Sequence, residues 1–478
     1  MKKTSKWLLL AILATAQFMV VLDVSVVNVA LPAMKQALHF NQSALQWVIT
    51  AYALTFGGFL LLGGRAADLF GRRRTLVTGM TGFTLFSLLI ATSQSSTMLV
   101  VLRALQGLSA ALMSPSALSI VLTTFSEGND RNKALSIWST VAAGGAATGL
   151  LVGGVLTQYL GWRWNFFINV PIGIAVLTMI MKFVPKHAKQ VDHNDLDLPG
   201  AILVTGGLMS LVFGLAQAPT WGWTSRSTLG MGVLAIALLA GFVVNELRAK
   251  HPLMPMSIFK VRNVVGANLM MAPLYAGLLG VFFLTSLYIQ TVLHYSPVMT
   301  GLSFLPIPFV LANIAPRLPR FIAKIGYRPF LIAGPLFAAS SMAWLAHIPV
   351  HGSYITTLLP AFILLPVGMS MTMVSLTIAA TSGVPATQSG LASGLITTSQ
   401  QMGGALGLAV LSGVAASVTK SSLHLGVVAA SVRGDSRAFL AAMFFMLFAF
   451  VLAVLVIRHR KPSDTAEVPI RGHVAVEV

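Results

Sequence analysis

Long apolar stretches alternate with short polar ones along the whole chain. Fourteen of these stretches approach or exceed the length of about 20 apolar residues that a helix needs to cross a bilayer. They lie at 7–31, 45–66, 75–93, 97–117, 134–157, 164–184, 199–217, 228–247, 264–290, 298–316, 328–347, 354–376, 390–417 and 438–457. A transmembrane β-barrel would instead alternate polar and apolar residues over segments of about 10 residues. The pattern therefore predicts an all-α membrane protein with fourteen transmembrane helices.

The polar interruptions divide these helices into groups of six, two and six. We place a six-helix bundle at 1–184, a linker with two extra helices at 185–263, a second six-helix bundle at 264–457 and a cytoplasmic tail at 458–478. The halves resemble each other weakly, because the loops at 68–74 and 323–329 share a glycine close before an arginine and helices 5 and 13 are both rich in glycine. Glycine-rich helices can simply pack closely in lipid, but the matching loops favour an internal repeat. Such repeats are typical of secondary transporters.

The composition agrees with a membrane protein. The chain is 56% hydrophobic and 9% charged, whereas a soluble domain carries about 25% charged residues. The net charge of +19 would suit nucleic-acid binding, but most of the 31 lysines and arginines fall in loops on one predicted side of the membrane. This is the positive-inside pattern. It places both termini in the cytoplasm and makes lipid head groups, not nucleic acid, the partners of these charges.

Residues that carry enzyme chemistry are absent or scattered. The chain has no cysteine, which excludes disulfides and thiolate metal sites, and it has no Walker A segment for ATP hydrolysis. Asp192, His193, Asp195 and Asp197 are metal-ligating types, but acids before a helix are commonly caps. We therefore expect no enzyme activity, no metal site and no cofactor, with the proton as coupling ion.

Two ionisable residues lie deep in predicted spans. Asp23 is the only acid at such depth, and Arg103 is the only base. An ionisable group in the membrane core costs at least about 2.5–3.5 kcal/mol and is a functional hypothesis by default. Since burial favours a neutral carboxyl and a nearby cation favours the charged one, we hypothesise that Arg103 tunes Asp23, directly or through water, to bind and release protons. Purely structural roles stay open: Asp23 as a hydrogen-bonded tie between helices, and Arg103 bonded to backbone carbonyls.

The loop between predicted helices 2 and 3 carries a recognisable motif. Its members are Gly64, Asp68, Gly71, Arg72 and Arg73, and the motif resembles the cytoplasmic one of the major facilitator superfamily. Gly71 permits a tight turn, and Asp68 can meet the arginines or the positive N-terminus of a helix in the other half. Such contacts would latch the halves together on the cytoplasmic side. Ala66 and Leu69 depart from the usual leucine and arginine, so one charge partner is missing.

Other stretches point to one branch of that superfamily. Segments 22–32 and 162–173 are similar to the first-helix and sixth-helix motifs of the fourteen-helix drug:proton antiporters, and 103–107 resembles the fourth-helix motif of the superfamily. Helix 5 resembles the antiporter motif through Gly145, Gly149, Gly153 and Gly154. Leu150 stands where that motif has proline, so the element that kinks the helix is missing.

This resemblance spans essentially the whole chain. It implies a major facilitator fold of two six-helix bundles with two intervening helices, and it implies that the acid matching Asp23 couples protons. Aromatic faces and polar groups could bind lipophilic cations, although each such residue also fits ordinary packing. The candidates for a substrate cavity are Gln17, Asn28, Tyr52, Gln106, Trp138, Phe282, Phe283, Tyr288 and Gln290.

These observations predict a proton-coupled multidrug efflux antiporter in the bacterial inner membrane. It would export small hydrophobic, often cationic compounds by alternating access and act as a monomer. Leu150 leaves open a different transporter, a symporter that imports a small nutrient or metabolite with H⁺. A receptor or scaffold without transport activity is a third reading, but such proteins usually carry a soluble signalling domain, and the tail at 458–478 is too short for one.

Overall fold

The computed structural model describes residues 6–125, 129–185, 197–249, 252, 262–381 and 389–456, and these residues form helices and no strand. The first half contains α1 (Lys6–Ala37), α2 (Gln42–Leu45), α3 (Trp47–Phe70), α4 (Arg72–Ala91), α5 (Ser96–Thr124), α6 (Asn129–Tyr159), α7 (Trp164–Phe167) and α8 (Asn169–Phe183). Then follow α9 (Leu198–Trp221) and α10 (Arg226–Arg248). The second half contains α11 (Arg262–Thr291), α12 (Pro297–Ser303), α13 (Pro306–Ile314), α14 (Leu318–Ile325), α15 (Arg328–Leu345), α16 (Leu359–Thr381), α17 (Ser389–Ser421) and α18 (Val427–Val456). The predicted tail at 458–478 and residues 186–196, which include Asp192, His193 and Asp195, lie outside the described residues.

Apolar helices long enough to span a membrane dominate the fold. Within the described residues, eleven helical segments are long and apolar enough to cross a bilayer, and a shorter apolar helix runs from Trp47 to Leu60. Serine caps begin three helices, because Ser95, Ser225 and Ser296 accept a hydrogen bond from the backbone N–H three residues on. The all-α membrane architecture is confirmed, while the count of fourteen spans stays a prediction.

The long helices pack as two bundles and a pair. In the first bundle α5 contacts α3 and α4, and α1 packs along α6. In the second bundle α11 contacts α17 and α18, and α15 contacts α16 and α18. The helices α9 and α10 pair with each other, and α9 also contacts α3 and α17, so it stands where the bundles meet. The exact domain boundaries stay a prediction.

The two ends of the bundles differ in their contacts. The basic face is the end of the bundles where Gly71 joins α3 to the arginines at 72–74. The opposite face is the other end of the bundles, where α1 ends. Four hydrogen bonds between the two bundles lie towards the opposite face. They join Ser286 to Asn28, Gln290 to Val29, Val298 to Gln158 and Ser412 to Gln46. The bundles are therefore closed against each other at the opposite face.

The last helix corrects one expectation from the sequence. α18 begins at Val427, not at residue 438, and the added turns contain Asp435, whose side chain is 2% exposed. Asp435 is therefore a second buried acid in an apolar helix, while the prediction that Asp23 is the only acid deep inside a span stays a prediction.

Packing explains why this polar segment is helical. Gly434 lies against α17, where an added Cβ would come within 2.5 Å of the Ala415 carbonyl oxygen. The Ser436 hydroxyl donates a hydrogen bond to the Ala346 carbonyl at the end of α15. These contacts with two neighbouring helices stabilise a first part of α18 that hydropathy alone assigns to a loop.

Candidate functional site

A buried network of charged and amide side chains surrounds Asp23 in the first bundle. The Asp23 carboxylate is fully buried, and its Oδ2 lies 2.5 Å from Arg103 Nη1. Its Oδ1 accepts hydrogen bonds from Gln106 Nε2 at 2.9 Å and from Asn169 Nδ2 at 3.0 Å. We call Asp23, Arg103, Gln106 and Asn169 the Asp23 cluster. Helices α1, α5 and α8 each contribute to it, so the carboxylate sits where three helices of one bundle meet.

The Arg103 guanidinium has several partners besides Asp23. Its Nε donates to the Val48 carbonyl at 2.9 Å, and Nη1 also donates to Gln106 Oε1 at 2.7 Å. The guanidinium carbon lies 4.3 Å from the centre of the Tyr52 ring and 5.6 Å from that of Phe166, which is within cation–π range. Both alternatives for Arg103 thus occur together: it pairs with Asp23 directly and also bonds a backbone carbonyl.

This arrangement can hold one carboxylate in its charged form inside the membrane. Two amides and one guanidinium donate to the carboxylate oxygens, and hydrogen bonds to the charged form favour it. Arginine stays protonated in proteins, so the carboxylate faces a permanent positive charge. Because Asp23 and Arg103 are at most 1% exposed, a proton can reach the carboxylate only after the surrounding helices have moved.

The glycines of α6 pack against α1 at the level of Asp23. An added Cβ at Gly149 would lie 2.6 Å from Ser25 Cβ, and one at Gly153 would lie 2.8 Å from Val26 Cα. An added Cβ at Gly145 would lie 3.3 Å from both Phe18 and Val21. These glycines therefore set the distance between α6 and the helix that carries the carboxylate.

The end of the same motif reaches the second bundle. A Cβ at Gly154 would lie 2.6 Å from the Pro297 carbonyl oxygen at the start of α12. Leu150, which replaces the expected proline, is 4% exposed, and its carbonyl group lies against Gly301 of α12. The glycine motif of α6, the predicted helix 5, thus contacts α1 through Gly149 and Gly153 and the second bundle through Gly154.

The predicted latch residues lie between α3 and α4. Gly71 has φ +91°, a backbone conformation that favours glycine. Arg73 Nη2 donates to the Met181 carbonyl of α8 at 2.5 Å, so this arginine joins helices of one bundle. Arg72 is half-buried, and the side chain of Asp68 lies outside the part that the structure describes. A latch between the two bundles stays a prediction.

Gly64 has a looser environment than its neighbour. A Cβ at Gly64 would meet only Pro115 Cβ, at 3.9 Å, which is ordinary contact. At Gly63 an added Cβ would lie 2.7 Å from the Ala111 carbonyl carbon of α5. The glycine that close packing requires is therefore Gly63, which the motif did not single out.

The nine candidate cavity residues lie in several parts of the two bundles. Gln106 belongs to the Asp23 cluster, and the Tyr52 ring packs over its Arg103 guanidinium. Asn28, Gln290 and Tyr288 lie near the opposite face. Phe282 and Phe283 pack in the second bundle. Gln17 accepts a hydrogen bond from Ser114, and Trp138 is half-buried against the core of the first bundle.

A cavity of about 350 Å³ lies elsewhere, between α3, α5 and α9. Its wall is mostly apolar and includes Trp47, Leu54, Val100, Met209 and Phe213. None of the nine candidates lines this cavity, and their role in substrate binding stays a prediction.

The sequence did not indicate two members of this network: Asn169, which bonds the central carboxylate, and Ser87, which bonds Gln106. Asn169 was part of the sixth-helix stretch but was not proposed as a partner of Asp23, and Ser87 of α4 was not considered. Gln106 Nε2 donates to Ser87 Oγ at 2.8 Å, so α4 is linked to the cluster as well. A polar residue inside an apolar stretch was the available signal for both.

Two helical bundles with an ion pair buried at membrane depth have the architecture of a secondary transporter. The family model of the Major Facilitator Superfamily matches residues 13–408, and the chain belongs to this superfamily. It is therefore a membrane transporter and not an enzyme, as the sequence predicted.

Characterised relatives cover nearly the whole chain. It is 38% identical to a puromycin resistance protein of Streptomyces alboniger over 95% of this chain and 92% of that protein. It is also 38% identical to a cephamycin export protein of Amycolatopsis lactamdurans, over 93% and 91% of the two chains. Among solved structures, the POT family transporter PepTSo superposes with a TM-score of 0.69 over 95% of this chain and 99% of that one. Its identity of 18% shows a shared fold only.

Proposed function

We propose that this protein exports hydrophobic, often cationic small molecules across the bacterial inner membrane in exchange for protons. In this proposal the basic face is cytoplasmic, because the arginines at 72–74 follow the positive-inside pattern. Both termini are then cytoplasmic as well. Relatives named for antibiotic resistance or export, which align along more than nine tenths of the chain, support the direction of transport.

The observation that carries proton coupling is the buried contact between Asp23 and Arg103, 2.5 Å apart. An ion pair at this depth is costly to maintain, and a substitution of both residues by apolar ones would give a simpler packed bundle. A carboxylate held by a permanent cation and two amides can lose its charge by binding one proton. That change of charge is what couples a proton to a conformational equilibrium.

The transport cycle follows from which face is open. The structure is closed at the opposite face through bonds such as Ser286 Oγ to the Asn28 carbonyl at 2.6 Å. Substrate enters from the cytoplasm, and its binding favours release of the Asp23 proton to that side. The bundles then rock, the opposite face opens, substrate leaves and Asp23 is protonated from outside. Rocking of two bundles about a central site is the common mode of such transporters.

The charge balance decides which gradient drives export. Exchange of one proton for one monovalent cation moves no net charge, so the pH difference alone drives it. Exchange of a proton for a neutral compound also uses the membrane potential, at about 2.3 kcal/mol per charge and 100 mV. A single titrating carboxyl in the Asp23 cluster therefore predicts different voltage dependence for neutral and cationic substrates.

Inverted membrane vesicles with an acidic lumen test the proposal. Vesicles containing the wild-type protein should accumulate a lipophilic monovalent cation when the lumen is acidified and lose it when the pH difference collapses. Asp23→Asn should abolish accumulation while the protein stays in the membrane. Asp130→Asn is the matched control, since Asp130 is an exposed acid at the start of α6. Equal accumulation by Asp23→Asn and the wild type would exclude Asp23 as the coupling residue.

One observation favours a second candidate, a symporter that imports a small metabolite with H⁺. α6 runs as a continuous helix from Asn129 to Tyr159, with Leu150 in place of the proline of the antiporter motif. The same vesicles distinguish the two functions. A symporter would expel the substrate from an acidic lumen together with protons, whereas an antiporter accumulates it.

A further inference from the structure

The cavity of about 350 Å³ between the first bundle and α9 is not part of the Asp23 cluster. Helices α3 and α5 form two of its walls, and α9 forms a third. Ligand sites in proteins have volumes of about 300–1,000 Å³ and mostly apolar walls with a few polar groups. The cavity has this size, and its lining residues are mostly apolar with a few polar ones. It therefore has the properties of a binding site for a hydrophobic molecule.

The polar residues of the cavity lie mainly at the end near the opposite face. Ser96 and Thr97 begin α5, and Gln217 lies near the end of α9. At the other end, the Thr55 hydroxyl donates a hydrogen bond to the Ala104 carbonyl at 2.7 Å, so this polar group is already bonded within the protein. None of the described residues that line the cavity is charged. The ligand that fits is therefore an apolar chain with a polar group towards the opposite face, and not a cation.

Aromatic rings lie at the same end of the cavity. The centre of the Trp47 ring lies 5.5 Å from that of Phe213, which lies 5.6 Å from that of Trp221. Trp47 begins α3 and Trp221 ends α9, so these two helix ends lie together at the opposite face. Tryptophan is enriched at the boundary between lipid and water. The polar end of the cavity thus lies at the depth of lipid head groups.

The depth of the cavity matches one leaflet of a bilayer. Ser96 and Ala104 of α5 both line it, and their positions on the helix differ by roughly 12 Å along the axis. Half of the hydrocarbon core of a bilayer is roughly 15 Å thick. The cavity is partly open, and Val101, which also lines it, is 53% exposed. In a membrane this surface of α5 contacts lipid, so a lipid chain can enter the cavity from the side.

Residues of the cavity wall also connect α9 with both bundles. Trp47, Leu54 and Met209 line the cavity, and they pack in an apolar cluster that includes Met402 of α17. The helix α9 contacts α3 in the first bundle and α17 in the second. A chain bound in the cavity would pack against these side chains and support the position of α9.

We propose that this cavity binds one acyl chain of a phospholipid from the leaflet at the opposite face. The head group lies beside Ser96, Thr97 and Gln217, and the chain extends past Leu54 towards Ala104. The bound chain fills the space between α9 and the first bundle, and it stabilises the folded protein because it binds only there. The proposal is independent of the proposed export activity, since it requires neither a transported substrate nor proton exchange.

A photoreactive phospholipid tests the proposal. The protein is reconstituted in phosphatidylethanolamine and phosphatidylglycerol with a trace of phosphatidylcholine that carries a diazirine at the end of one acyl chain, and mass spectrometry locates the adducts after irradiation. Adducts should be more abundant around Leu54 and Ala104 than around Ile236 of α10, which is 70% exposed and reports ordinary contact with lipid. Ala51→Phe places a ring in the cavity wall. It should lower the yield around Leu54 and Ala104 by roughly tenfold, which corresponds to a loss of about 1.4 kcal/mol in binding. Val100→Phe, at a half-buried position of the wall, should have the same effect.

Ala237→Phe is the matched control, because Ala237 is exposed on α10 and is not one of the residues that line the cavity. It should be labelled as the wild type is. In detergent, added phospholipid should raise the unfolding temperature of the wild type and of Ala237→Phe more than that of Ala51→Phe. If Ala51→Phe does not fold, Val100→Phe decides the outcome. Labelling of the cavity that is no stronger than that around Ile236, or that is unchanged in the filled variants, would overturn the proposal. Displacement of the label by a lipophilic cation would also overturn it, because the cavity would then bind substrate.

Discussion

Arg103 Nη1 lies 2.5 Å from Asp23 Oδ2, and neither side chain is more than 1% exposed. The two residues are separated by 80 positions in the sequence, and the amides of Gln106 and Asn169 complete the donors around the carboxylate. Such a pair contributes little net stability compared with apolar packing, but removal of one partner is strongly destabilising. The pair therefore makes the first bundle sensitive to the protonation of a single residue.

Proton release on substrate binding tests this sensitivity directly. Purified wild-type protein in weakly buffered detergent solution should release about one proton per bound cationic substrate, since the Asp23 cluster contains one titrating carboxyl. The Asp23→Asn protein should release no proton when the same substrate is added, whether or not the substrate binds. A pH-indicator dye measures the release. Asp130→Asn should release protons as the wild type does. Proton release by the Asp23→Asn protein would assign the exchanged proton to another group.

Removal of Arg103 should be costly, and the cost should depend on Asp23. Arg103→Ala leaves a buried carboxylate without its cation and should lower the free energy of unfolding by about 3–5 kcal/mol. The double variant with Asp23→Asn should recover part of this loss, because no uncompensated charge remains. Thermal unfolding of the four proteins in one detergent measures the interaction. Strict additivity of the two substitutions would show that the contact is energetically unimportant.

Asn169 should affect the pH dependence of transport rather than transport alone. Its Nδ2 donates to Asp23 Oδ1 at 3.0 Å, so its loss removes one of the three side chains that donate to the carboxylate. Asn169→Ala should therefore change the pH profile of transport, whereas a loss of packing alone would lower transport equally at every pH. Asn165→Ala is a matched control, since Asn165 is equally buried but donates to Thr157 at 2.7 Å. An identical shift in both variants would indicate a general packing effect.

The sequence predicted the membrane fold and the central pair for simple physical reasons. Apolar stretches of the right length determine where helices cross a bilayer. Asp23 and Arg103 were the only opposite charges recognised at membrane depth, so their pairing followed from the cost of burying either one alone. Asn169 was not assigned as a partner, because an amide inside an apolar stretch can bond to many different groups.

Other features depend on tertiary contacts that the sequence does not display. Asp435 lies just before residue 438, where the sequence predicts the last span to begin. The helix extends through it because Gly434 fits against α17 and Ser436 bonds to Ala346. Closure at the opposite face was also not predictable, since it is one state of a conformational equilibrium between two bundles. Such an equilibrium leaves no periodic pattern along the chain.

The distribution of acids predicts selectivity among cations. The helices α12 and α13, which span 297–314 with a short break, contain no acid, and Asp23 is already paired with Arg103. A dication would therefore lack a second negative partner in the central part of the second bundle. Cells producing the protein should gain less resistance to a bisquaternary ammonium compound than to its monoquaternary analogue of matched hydrophobicity. Equal resistance to both compounds would show that a second negative group takes part in binding.

Close packing between α6 and α1 should be essential at some glycines and not at others. An added Cβ at Gly153 would lie 2.8 Å from Val26 Cα, and a backbone atom at that distance can move only if the helices separate. Gly153→Ala should therefore lower stability by about 1–3 kcal/mol, as overpacking does, and should also reduce transport, because α1 carries Asp23. Gly144→Ala is the control on the same helix, since nothing lies within 4 Å of its added Cβ. Alanine in place of a helical glycine stabilises by up to about 1 kcal/mol when no clash opposes it, so Gly144→Ala should raise the unfolding temperature. If both variants were equally stable, the contact between α6 and α1 would be more adaptable than this geometry implies.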